Sequence, residues 1–223
     1  MKFRSVFMTL SCAFALAACG GQDGSTSGQA GSAAAEVPAG SVKVQTAHGE
    51  AVVPQNPERV AVYDLGAVDT LSKLGVKIGA SVDAQRLAYL DAPLKDAVKA
   101  GTLFEPNYEA LNAYNPQLIV IGSRMAKDKV SDELAKLAPT IDMTAQTDNM
   151  KESAKARIDA YGRIFGKQAE ADALKAEIDK TFADAKAAAQ GKGKGLVILV
   201  NAGKLSAFGP DSRLGGWIHR DIG

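Results

Sequence analysis

Two apolar runs, Arg59-Val60-Ala61-Val62-Tyr63 and Gln117-Leu118-Ile119-Val120-Ile121, constrain this chain more than any other feature of it. A short run that is apolar on consecutive residues has no face to offer water, so each reads as a strand covered on both sides. Helical spacing sits beside both runs. After the first, Val68, Leu71 and Leu74 share one face of a helix from about Ala67 to Leu74. Gly75 closes that helix, and a second strand is expected over Val76–Val82. Before the second run, Asn107–Tyr114 reads as a short helix with Leu111 and Tyr114 inward, ended by Pro116. After it, Met125–Leu137 is amphipathic through Val130, Leu134 and Leu137, and Pro139–Met143 gives another strand. Repeated β-α-β units of this kind build a parallel sheet with helices laid on its faces.

The flanking stretches complete an α/β reading. Val42, Val44 and Thr46 alternate with polar residues, His48-Gly49 turns, and Ala51–Val53 returns, which predicts a β-hairpin. From Asn149 to Gln190 the pattern is helical, with Gly162 and Gly166 weakening its middle, so a break and a second helix from about Gln168 are expected. A glycine-lysine loop, Gly191–Gly195, leads to a strand at Leu196–Val200, a hairpin return at Lys204–Phe208 and a helix over Leu214–Ile222. One hairpin and one helix cannot bury their own faces. The expectation is therefore two Rossmann-like lobes bridged by a long helix, with the second lobe truncated. The first lobe spans residues 41–148, the interlobe helices 149–190 and the start of the second lobe 191–223.

The N-terminus reads as an export signal. Lys2 and Arg4 precede a short apolar stretch, Val6–Ala18, which ends in Leu16-Ala17-Ala18-Cys19. That stretch is short for a permanent membrane span. The tetrapeptide fits a bacterial lipobox, in which Cys19 carries the lipid and becomes the first residue. After Cys19, residues 20–40 are mostly Gly, Ser, Ala and Gln with almost no large apolar side chain, and 19–40 has the composition of a flexible tether. Of the two cysteines, Cys12 falls in the discarded peptide, so the mature chain is expected to form no disulfide within itself. An envelope location, periplasmic and membrane-anchored through Cys19, follows as the expectation. Loss of residues 1–18 takes the basic count from 26 to 24 against 25 acids, a balance that does not suggest a basic face for nucleic acid. Any anion site must be made by a few placed residues.

Asn107-Tyr108-Glu109-Ala110-Leu111 followed by Asn115-Pro116-Gln117-Leu118-Ile119-Val120-Ile121 resembles a signature of helical-backbone substrate-binding proteins of ABC importers. That family serves ferric siderophores, haem and cobalamin; it usually has Asp where this chain has Gln117. Tyr63-Asp64-Leu65-Gly66-Ala67-Val68-Asp69-Thr70, Gly122-Ser123-Arg124 and Ser206-Ala207-Phe208-Gly209-Pro210-Asp211-Ser212-Arg213-Leu214-Gly215 are similar to its catecholate branch, which includes ferric-enterobactin-binding lipoproteins. The resemblance implies two α/β lobes, a ligand in the cleft between them, and delivery to a membrane permease by a monomer. It implies no cofactor, since iron enters only inside its chelate.

A ferric tris-catecholate is a trianion with flat aromatic ligands. Arginine suits it, because the guanidinium stays charged, offers a planar fork of donors and stacks on rings. The resemblance places such arginines at Arg124 and Arg213; the plainer reading of each is a solvated loop residue. Lys127 and Arg86 either extend the positive mouth or are surface cations. Tyr63 and Asp64 close a strand where α/β folds place ligands, although Asp64 also fits the cap of the following helix, which is the reading favoured here. Glu109 is the expected permease-docking carboxylate, against an ordinary helix-surface acid. His48 reads as a turn residue and His219 as structural.

Other classes fare worse. Two scattered histidines do not make a zinc or manganese centre. No Gly-x-Ser-x-Gly, His-Glu-x-x-His or P-loop occurs, and Lys194-Gly195 precedes a strand instead of opening a helix, so an enzyme is not expected. Binding of another iron chelate, haem or cobalamin stays open. So does a structural envelope lipoprotein, against which the two arginines count.

Overall fold

Alternation of apolar and polar residues produces the first element. Strands β1 (Ser41–Thr46) and β2 (Gly49–Pro54) pair antiparallel, with Val44 opposite Ala51 and Thr46 opposite Gly49. The computed structural model describes residues 37–83, 87–123, 125–126, 128–212 and 215–223. The export signal, most of the tether, Cys19, Arg86, Arg124, Lys127 and Arg213 lie outside the described residues. The hairpin tip is fastened to the body at one residue. Ala47 N donates to the Asp142 carbonyl at 2.9 Å, and His48 Nε2 lies 2.9 Å from Asp142 Oδ2.

The two apolar runs become neighbouring strands of one parallel sheet. In chain order come β3 (Val60–Val62), α1 (Leu65–Lys73), β4 (Ala80–Ser81), a 3-10 turn at Ala88–Leu90, α2 (Asp91–Leu94) and β5 (Val98–Lys99). These are followed by α3 (Tyr108–Tyr114), β6 (Leu118–Ile121), α4 (Asp128–Ala135) and β7 (Thr140–Asp142). The strand order is β5-β4-β3-β6-β7, with Ala61 opposite both Ala80 and Ile119. Side chains leave the sheet alternately. Val60, Val62, Leu118 and Val120 pack with the hairpin and α1, while Ala61, Tyr63, Ile119 and Ile121 pack with Leu111 of α3 and Leu134 of α4. Each fully buried aliphatic side chain of this kind contributes about 1.5–3 kcal/mol, and both faces being covered explains why β3 and β6 carry no polar residue. The α/β expectation is met.

Several boundaries differ from those expected. The strand expected over Val76–Val82 pairs only at Ala80 and Ser81, because Val76 N is still bonded to Leu71 O of the helix (2.9 Å) and residues 76–79 serve to climb back to the sheet. The helix expected from Met125 begins at Asp128, since Met125 N and Ala126 N both turn back to the Gly122 carbonyl. Pro116 ends α3 as expected: the residue before a proline is barred from continuing a helix, and Asn115 takes a left-handed conformation, φ 52°.

Two helices, α5 (Met150–Ile164) and α6 (Gln168–Ala189), follow. The break falls at Gly166, whose φ of 62° suits glycine. Gly162 instead stays helical and lets α6 approach, since a β-carbon there would stand 2.7 Å from that of Ala171. Ile158, Tyr161 and Ile164 of α5 join the sheet's α1-side core. On the other side of α5, Lys151 and Lys155 pair with Asp179, and Lys175 pairs with Asp159 and Asp172, at 2.8–2.9 Å in the closest contacts.

Beyond α6, β8 (Val197–Asn201) and β9 (Lys204–Phe208) form a second antiparallel hairpin. Leu196, Val200 and Leu205 are 69%, 67% and 74% exposed. The helix expected from about Leu214 is present over residues 216–222, with π-helical bonding over Ile218–Ile222; Leu214 lies outside the described residues. Trp217 packs on Phe182 of α6 with ring centroids 5.6 Å apart. Arg220 reaches back to donate to the carbonyls of Pro210 (2.7 Å), Asp148 (2.7 Å) and Thr147 (3.5 Å). A β-carbon at Gly216 would stand 2.6 Å from that Pro210 carbonyl.

Candidate functional site

From β3 the chain crosses to β4 on one side of the sheet, whereas β6 passes on to β7 on the other. Loops leaving the carboxyl ends of β3 and β6 therefore diverge, and a crevice opens between them. A pocket of about 230 Å³ lies there, lined by Tyr63, Asp64, Leu65, Leu103, Gly122 and Ser123. Sites that enclose a whole small ligand hold roughly 300–1,000 Å³, so this pocket has the size of one wall of a site. Its two polar contributors come from the segments singled out in sequence, Tyr63-Asp64 after β3 and Gly122-Ser123 after β6.

Asp64 is the cap it was expected to be. Its backbone is extended (φ −120°, ψ 116°), and Oδ1 accepts from Ala67 N at 2.6 Å, satisfying a free N–H of the first turn of α1. The same oxygen accepts from Arg157 Nη2 at 3.2 Å, with the two side chains 23% and 18% exposed. Oδ2 is pressed against the backbone of Gly122. One carboxylate thus joins the start of α1, the end of β6 and the middle of α5.

Tyr63 is 1% exposed, and its hydroxyl donates to the Ala100 carbonyl at 2.6 Å. Burial, with a smaller contribution from Tyr108, pushes the phenol well above its ordinary range. A ligand in the pocket can touch little of this ring; the residue holds the wall between β3 and the end of β5. Arg124 directly follows Ser123 in the chain, and Arg124, Lys127, Arg86 and Arg213 lie outside the described residues.

Glu109 is exposed in the first turn of α3, whose cap is Asn107, with Oδ1 accepting from Ala110 N at 3.0 Å. Because Asn107 N donates to the Ala100 carbonyl just past β5, Glu109 stands at the same end of the sheet as the pocket. Gln117 makes its own contact where the resembled family has Asp: its Oε1 accepts from Glu58 N (2.8 Å) and Arg59 N (3.1 Å) and fixes the start of β3. His48 lies in the hairpin turn, and His219 Nε2 is 2.9 Å from the Phe208 carbonyl. Among the described residues no group of three or more His, Cys, Asp or Glu converges to hold a metal ion, and no helix is long and apolar enough to cross a membrane.

Arg157 is the residue that sequence reasoning missed. It precedes Ile158 and stands four and seven residues before Tyr161 and Ile164 on the buried side of α5. A charge at that spacing needs a buried partner, and this was the available signal. Burial works against its protonated form, but Tyr161 and Asp64 outweigh it and raise the guanidinium above its usual range. Burial likewise raises Tyr161, with Arg157 opposing and Asp64 and Asp142 adding to the rise.

The periplasmic binding protein family model matches residues 60–222. The chain is 38% identical over 218 residues to the petrobactin-binding protein YclQ of Bacillus subtilis, covering 96% of this chain and 67% of YclQ. It is 33% identical over 174 residues to the ferric-anguibactin-binding protein FatB of Vibrio anguillarum, covering 75% of this chain and 53% of FatB. The crystal structure of YclQ superposes with a TM-score of 0.75 at 36% identity, over 82% of this chain and 65% of that one. The periplasmic catecholate-siderophore-binding protein VctP of Vibrio cholerae gives 0.73 at 30% identity, over 82% and 66%. The chain therefore spans between about half and two thirds of the length of these relatives. By sequence and by fold, the chain belongs to the periplasmic binding protein family, whose members bind and carry solutes and are not enzymes.

Proposed function

We propose that this chain is a lipid-anchored solute-binding protein that captures a ferric siderophore of the catecholate type and hands it to an ABC permease. The observation that carries the proposal is the pocket at the carboxyl ends of β3 and β6, framed by Asp64 and by the Gly122-Ser123 backbone that leads directly into Arg124. Arg124 and Arg213 are its proposed cationic ligand contacts, with Lys127 and Arg86 at the mouth, and Tyr63 supports the wall. Iron enters as cargo within its chelate. Cys19 is the proposed site of lipidation, holding the protein at the outer side of a membrane, and Glu109 the proposed permease-docking residue, presented on the pocket's end of the sheet.

Relatives named for petrobactin and for catecholate siderophores support the ligand class. The ferric-anguibactin-binding relative favours a second reading, in which another ferric chelate fills the same pocket. Titrating the emission of Trp217, the only tryptophan, with ferric enterobactin, ferrichrome and haem separates the readings. Saturable quenching by the catecholate alone is expected. A response to haem alone would overturn the siderophore reading, and a response to ferrichrome alone would move it to another chelate.

A further inference from the structure

An anion-binding pocket should not be walled by a carboxylate, yet Asp64 lines this one. Its charge is handled from behind. Arg157, mid-way along α5 and 93 positions away in sequence, donates Nη2 to Asp64 Oδ1 at 3.2 Å, and only 18% of its side chain is exposed. Arg157 does not line the β3–β6 pocket itself. Its Nε is sealed from solvent beside the equally sealed Tyr161 hydroxyl. With the Ala67 N–H also on Oδ1 and Gly122 closing against Oδ2, the carboxylate has no freedom to swing.

We infer that Arg157 is a positioning residue of the ligand pocket: it cancels the charge of Asp64 and pins that carboxylate between α1 and Gly122, so that an anionic ferric chelate meets a neutral wall. The inference rests on the reading of this pocket as an anion site. Asp64 has a structural task of its own, since its side chain caps α1. The geometric use of Asp64 is thereby separated from its charge. Without Arg157 the carboxylate would repel a trianion across a partly dry gap, where charges are weakly screened.

Retention of the coloured ferric enterobactin complex on ultrafiltration, at low salt and at about 0.5 M salt, tests this in the mature protein. Arg157→Met is expected to lose about tenfold in affinity at low salt, and the loss should shrink at high salt as Asp64 is screened. Arg157→Lys keeps the charge and should stay within about threefold. The pair Asp64→Asn with Arg157→Met should also recover to within about threefold, because asparagine caps a helix about as well as aspartate. Wild-type affinity in Arg157→Met, or a loss that salt leaves unchanged, would overturn the inference, since a packing role alone does not respond to screening. If circular dichroism shows Arg157→Met unfolded, the double variant decides. Binding equal to wild type supports the charge-cancelling role, and a tenfold loss refutes it. A wild-type protein that retains no ferric chelate overturns the pocket reading, and this inference with it.

Discussion

Asp64 Oδ2 occupies the space into which a side chain at Gly122 would project: a β-carbon there would stand 2.1 Å from that oxygen and 2.9 Å from Asp64 Cγ. The carboxylate is held on its other oxygen by Ala67 N and Arg157, so it has nowhere to retreat. Gly122→Ala is expected to displace the cap, at a cost of about 1–3 kcal/mol. Thermal unfolding should show it as a lowered midpoint, together with weaker ferric-chelate binding. An unchanged midpoint would mean that the contact relaxes freely.

Tyr63 offers a separate check on the wall. Its buried hydroxyl donates to the Ala100 carbonyl, and Tyr63→Phe leaves that acceptor without this donor. A loss of about 1–2 kcal/mol, or about 2–8 °C in melting temperature, is expected, with ligand affinity nearly unchanged. A large affinity loss at an unchanged midpoint would return the phenol to direct ligand contact.

The two arginines carried over by resemblance are tested on the mature protein. Arg124→Ala and Arg213→Ala are each expected to weaken ferric-catecholate binding by about tenfold or more, the size of one lost charge-assisted hydrogen bond. Wild-type affinity in both removes them from the site.

Glu109 is exposed and is proposed to meet the permease. Glu109→Lys should leave ferric-chelate affinity within about twofold while lowering iron uptake by cells severalfold, because a reversed charge repels a cationic docking partner. Uptake at the wild-type rate would dismiss Glu109 as a docking residue.

Lys175 holds Asp159 below the usual carboxylate value of 3.8, chiefly through its hydrogen bond, with Gln168 assisting. A carboxylate whose pKa is depressed by folding stabilises the fold above its unfolded value and loses that contribution as pH falls through the lowered one. The α5–α6 contact should therefore weaken as the pH drops below 3.8. Lys175→Met should flatten that part of the curve. Because the pair lies at the surface, with the Lys175 and Asp159 side chains 22% and 38% exposed, water screens it in part and the same change should lower the neutral-pH midpoint by less than about 3 °C. Melting curves over the acid range measure both effects.

The core around the parallel sheet was legible because periodicity reports burial. Val60–Val62 and Leu118–Ile121 read as covered strands, and the α5–α6 break was visible in Gly166, while Gly162 proved to be a close-packing position inside α5. The stretch between β4 and α3 was not. Ala88–Leu90 and Asp91–Leu94 are too short to show a helical period, and Val98–Lys99 is a two-residue edge strand with both residues exposed. At the site, the Asp64 cap followed from local sequence, since a cap and its helix are adjacent. The Asp64–Arg157 pair joins β3 to α5 through tertiary packing alone, and the only local trace of it was a cation on an otherwise apolar helix face.

Arg220 donates to main-chain carbonyls, those of Pro210, Thr147 and Asp148. Every amino acid carries that acceptor, so natural variation at 147 and 148 leaves the tie standing. Replacement of Arg220 removes it, and any larger residue at Gly216 would strike the Pro210 carbonyl. The tie therefore depends on the identities of Arg220 and Gly216, and not on which side chains stand at 147 and 148.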